Sequence, residues 1–109
     1  MELSKRDKKI ARQIIEIGLQ KEFAKGLYNA DSVLNDWKEK VRDNRESYHL
    51  LYKAINNFDK HIARRYDSMS GSKYAWIIAA QLGDEMISES DLAELSENVR
   101  QAIIHMSRL

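Results

Sequence analysis

Three histidines, seventeen acidic side chains and no cysteine set the side-chain chemistry open to this 109-residue chain. Glu46 and His49, in "ESYH", stand three residues apart, a spacing that puts two side chains on one face of a helix. Di-iron bundles use two such pairs plus a glutamate from each of two other helices, all turned inward. Here the pair occurs once, and neither His61 nor His105 has an acid three residues before it. His49 also falls on the polar side of its helix, so no metal and no cofactor is expected. The lack of cysteine excludes a thiolate zinc site, a cysteine nucleophile and a disulfide framework.

Asp59 is the acid whose position asks for an explanation. It falls between Ile55 and Ile62 in an apolar arc, which makes it a candidate buried polar residue. Arg65, Lys73, Tyr52 or a residue on another helix would then satisfy it. As a general base it would need a raised pKa and a second titratable group beside it. The sequence places none there, because His61 lies on another side of the helix. The chain is therefore read as a non-enzyme.

"DKHIARRYDSMSGSKYAW" (59–76) gathers further charge around a Ser-Gly-Ser turn. Lys53, Lys60 and Arg64 share the outer side of one helix, and Lys73 begins the next. These four are the candidate anion-binding residues. With Lys5, Arg6, Lys8, Lys9 and Arg12 they could form a basic surface for phosphate backbones, were their helices to pack side by side. No aromatic residue is interleaved to stack bases. "SMSGS" lacks the pattern of a phosphate loop. Ala79, Leu82 and Gly83 resemble part of a helix-turn-helix, yet Glu89, Asp91, Glu94 and Glu97 would face the DNA phosphates. Nucleic acid is thus possible but not favoured.

The elements that position these residues are helical. There is no proline, only four glycines, and 43% apolar against 32% charged residues, a soluble globular composition of few breakers. Hydrophobic periodicity predicts an all-α fold, a single-domain bundle (1–109) of four to five antiparallel helices, at about 4–27, 32–43, 45–68, 73–82 and 90–107. Ser4 with Asp7 resembles a capping pair. Tyr48, Leu51, Tyr52, Ile55, Phe58, Ile62 and Tyr66 make the best-patterned stripe and are expected to face the core. Segments 32–43 and 45–68 stay in phase across Asp43–Asn44. They would make one rod of roughly 55 Å, too long for a compact domain this size, so a break is expected there. "YAWIIAAQL" is apolar on all sides and reads as the buried centre.

On helix one, Ile15, Leu19 and Phe23 wind off the first stripe and form a candidate partner interface. Charge is uneven. Residues 1–73 carry 16 basic and 11 acidic side chains, whereas 74–109 carry 2 and 6, within a net charge of +1. The charged N-terminus lacks the apolar run of a signal peptide, so secretion is not expected. The longest dense apolar run has nine residues, against the ~20 needed to span a bilayer. A cytoplasmic address without membrane contact is expected. The predicted function is a non-enzymatic interaction protein, bound to a protein partner or to itself as a homodimer. The alternative is a polyanion binder using the basic outer faces.

Overall fold

Few breakers make for long helices, and the computed structural model, which describes residues 2–67 and 69–109, shows only helices and no strand among them. The α-helices are α1 (Lys5–Lys38), α2 (Asn44–Tyr66), α3 (Tyr74–Gly83) and α4 (Glu97–Ser107). Single 3₁₀ turns, Gly71–Lys73 and Glu89–Leu92, lie before α3 and α4. The fold is all-α, as the periodicity predicts. Among the described residues, no helix is long and apolar enough to cross a membrane.

Two boundaries differ from the predicted ones. Helices expected at 4–27 and 32–43 are one helix, α1, of 34 residues. Tyr28, Asn29 and Ala30 include no breaker, and Asp31 caps nothing. Its carboxylate instead accepts from the Asn35 side chain one turn on, at 3.2 Å. The last helix starts at Glu97 rather than at residue 90. Ser88 and Asp91 close a capping box on the 3₁₀ turn, with the Ser88 N–H donating to Asp91 Oδ2 at 2.8 Å. The break at 43–44 is present, with Asp43 as the cap: its Oδ1 accepts the Glu46 N–H at 2.8 Å. Lys40 (φ 58°) and Glu85 (φ 61°) take left-handed backbone just past α1 and α3.

The chain divides into two compact units, Met1–Lys21 with Ser68–Leu109, and Glu22–Asp67. The length argument against a long helix assumes one compact body, whereas α1 contributes to both units. In the first, Ala11, Ile15, Ile78, Leu92, Val99 and Ile103 form the centre of the core. Asp7 on α1 binds Ser96 at the start of α4, and Gly71 ahead of α3 lies against Lys8. At the other end, Gln81 meets Gly18 and Gly83 meets Ser107. Starts match starts and ends match ends, so these three helical segments run the same way, joined by the return leg 84–96. The antiparallel order expected of neighbours is confined to the second unit. α3 buries Tyr74, Ile77 and Ile78 but turns Trp76 outward, so it is not apolar-buried on every side.

Gln81 is the polar residue of α3 and is fully buried. Its Nε2–H donates to the Ile15 carbonyl at 2.9 Å. Gly18 makes the space, since a Cβ there would sit 2.6 Å from the Gln81 amide carbon. Gly18→Ala is expected to destabilise by ~1–3 kcal/mol through overpacking. In a urea-denaturation double-mutant cycle, Gly18→Ala should cost less once Gln81 is Ala. Additive costs would disprove the close fit.

Asp7 is buried and ties the start of α1 to the start of α4. Its N–H donates to Ser4 Oγ at 3.1 Å, as the capping pair predicts, and its Oδ1 accepts the Ser96 N–H at 3.0 Å. The Ser96 amide holds the carboxyl below its ordinary value of 3.8, with burial opposing. A lowered folded-state pKa means the stabilisation is complete above 3.8 and fades as pH falls through the folded-state value. Asp7→Asn should be less stable than the parent by ~1–3 kcal/mol at neutral pH. The gap should narrow on acidification below about pH 4, read by denaturation across pH.

Candidate functional site

The second unit is a helical hairpin, the C-terminal part of α1 against α2. Trp37 pairs with Asn44 at the turn, Gly26 with Phe58 midway and Glu22 with Arg65 at the open end. The Trp37 Nε1–H donates to Asn44 Oδ1 at 2.8 Å across the turn. A Cβ on Gly26 would lie 3.0 Å from carbons of the Phe58 ring. Phe23 meets the same ring edge-on, with centroids 5.8 Å apart at 62°.

The line of α2 that faces α1 is Ser47, Leu51, Ala54, Phe58 and Arg65, of which Ser47 is the most buried. This line is rotated from the predicted stripe. Small side chains at Ser47 and Ala54, matched by Gly26, let the helices approach closely there. Whereas Ile62 and Tyr66 nearer the open end are half-buried, Tyr48, Tyr52 and Ile55 are left outside, 75%, 59% and 50% exposed.

Asp59 moves with them. It is exposed and makes no hydrogen bond or ion pair among the described residues, so the expected buried carboxylate is elsewhere. Being the residue after Phe58, it points about 100° away from the α1 contact. Glu22 holds the buried position instead. Its Oε1 is ion-paired with Arg65 and lies 3.7 Å from His61 Nε2, while its Oε2 is buried without a hydrogen-bond partner. The signal was in the sequence: Glu22 follows Ile15 by seven residues and Gly18 by four, on the buried side of α1.

Apart from Tyr28, which is exposed on another side of α1, the large exposed apolar side chains of the two hairpin helices fall on one broad side of the hairpin. Running along α2 are Tyr48, Tyr52 and Ile55; along α1 lie Phe23, Leu27 and Leu34. Near the turn, Val33, Leu34, Trp37, Tyr48 and Leu51 line a cleft of about 290 Å³. Ser47 also borders it, with an Oγ that has no hydrogen-bond partner. Lys53, Lys60 and Arg64 are exposed on the opposite side of α2. Lys73 is exposed in the other unit.

Of the candidate partner interface, Ile15 is buried in the first unit's core and unavailable to a partner. Leu19 is half-buried, and Phe23 is exposed on the hairpin. Glu46 and His49 are both exposed. Among the described residues, no three His, Asp or Glu side chains gather to hold a metal. Comparison with protein-family models, with curated proteins and with solved structures finds no match for this chain.

The hairpin thus has a polar pin inside and an apolar side in water. Glu22→Gln should destabilise it by roughly 2–3 kcal/mol, less than a fully buried pair would lose because Arg65 keeps some access to water. Native-state hydrogen exchange should show the loss in α2 amides and leave α3 protected. Equal loss in both would disprove a hairpin-specific pin.

Proposed function

We propose that this protein is a non-enzymatic interaction module whose working surface is the apolar side of the α1–α2 hairpin. The observation that supports the reading is the concentration of large exposed apolar side chains there, Tyr48, Tyr52, Ile55, Leu27 and Leu34 among them. Contiguous exposed apolar patches beyond a few hundred Å² mark interaction sites in monomeric proteins. Tyrosine and tryptophan also dominate the energetics of protein interfaces. The cleft sits at the small end of the ~300–1,000 Å³ range of ligand pockets. Its lining is mostly apolar, with the Asn44 oxygen engaged by Trp37 and the Ser47 hydroxyl left to bind, so the cleft suits an apolar side chain better than a highly polar small molecule.

The basic side, Lys53, Lys60 and Arg64, supports the polyanion reading less well, because no aromatic residue stands among the three to stack a base.

The test is photo-crosslinking in the native cell, with benzoylphenylalanine in place of Tyr52 and, separately, of Lys53. Adducts heavier than the 12.7 kDa chain are expected from position 52, in excess of those from position 53. Irradiation that leaves both as the unmodified chain would refute the proposal.

A further inference from the structure

We infer that the occupant of this apolar side is a second copy of the chain, seated antiparallel so that two hairpins form a four-helix bundle. The inference rests on the interaction reading above and names the partner. Its first support is area. The exposed parts of Phe23, Trp37, Tyr48 and Tyr52 come to about 400 Å² at ~200 Å² per aromatic side chain. Leu27, Leu34 and Ile55 raise the strip to on the order of 700 Å² per copy, near the ~800 Å² per partner of a stable interface. Net charge is only +1, so two copies repel one another little.

The second support is self-complementarity, which a two-fold interface requires because each copy offers the same patch. An axis crossing the hairpin at the level of Tyr52 sets α2 antiparallel to its mate, with the two Tyr52 rings at the centre. Arg45 and Asp59 lie seven residues either side of Tyr52, and therefore two turns away on the same line of the helix. That axis sets Arg45 of each copy opposite Asp59 of the other. Both are exposed, and neither has an ion-pair partner within its own chain among the described residues. The pairings Trp37–Asn44 and Gly26–Phe58 put Tyr52 level with residues 30–32 of α1. The same axis then sets Leu27, 71% exposed, over the mate's cleft beside Leu34 and Trp37. Knob and hole, and cation and anion, are both supplied by one patch.

Sedimentation equilibrium of the full chain should give twice the 12.7 kDa mass. Asp59→Arg alone and Arg45→Asp alone should each weaken the dimer about tenfold, since each replaces two facing attractions by two repulsions. An equimolar mixture of the two variants should recover a dimer close to the parent's, because every facing pair is then attractive again. Circular dichroism should show that both variants keep their helices, as exposed sites allow. A parent that stays monomeric at concentrations on the order of 100 µM overturns the inference. So does a dimer indifferent to either substitution, or a mixture that fails to recover. A monomer that still crosslinks a different protein through position 52 would sink this inference and leave the interaction reading standing. Neither dimer nor adduct would remove both.

Discussion

α1 has to be buried twice, by two sets of neighbours, and that constraint shapes the rest of the chain. Its first half turns Ala11, Ile14, Ile15 and Gly18 inward, and its second half turns Glu22, Gly26 and Val33. Within the first half Ala11, Ile14 and Gly18 recur at three- and four-residue steps with Ile15 beside them, and within the second Glu22 and Gly26 lie four apart, the spacing of one helix side. The neighbours change identity along it. Branched aliphatic residues of α3 and α4 serve the first half; an aromatic ring and an ion pair of α2 serve the second. Wherever backbone must come close, α1 carries a glycine: Gly18 beneath Gln81 and Gly26 beneath Phe58.

The two units solve the burial of polarity in different ways. Gln81 is neutral and enters the apolar core with its N–H group bonded to a mid-helix carbonyl. Glu22 is charged and is compensated by Arg65, with His61 near the same oxygen. A paired buried charge adds little net stability compared with an apolar pair of similar shape. What it does add is a penalty for every register in which the charges separate. In a hairpin whose facing line is mostly small or half-buried side chains, that penalty does much to select the alignment of α2 on α1.

The all-α class was legible because breakers are nearly absent and periodicity is strong. The Ser4–Asp7 cap was legible because a serine three residues before an acid has a capping geometry, and the break at Asp43–Asn44 because an unbroken rod would be too long, although the cap there is Asp43 rather than Asn44. The α1 continuity was not, because Asp31 and Ser32 have the composition of a cap and only the absent turn before them argues otherwise. The stripe on α2 shows a deeper limit. Tyr48, Tyr52 and Ile55 look like core by type and spacing, and hydrophobic periodicity cannot distinguish a side buried in its own chain from one left for a partner. Asp59 stood out as an anomaly for that reason. It was judged against a core that lies about one residue's rotation away, where the residue that needed explaining was Glu22.

The four glycines all keep ordinary negative φ, while the two left-handed positions belong to Lys40 and Glu85. Glycine here is chosen for thinness rather than for freedom, and the connections bear a steric load of ~1–2 kcal/mol at each of those residues. That load is held in reserve. Relieving it would strengthen the fold from positions that touch neither core nor apolar side, leaving evolutionary headroom for the exposed face to change its residues without unfolding the chain that carries it.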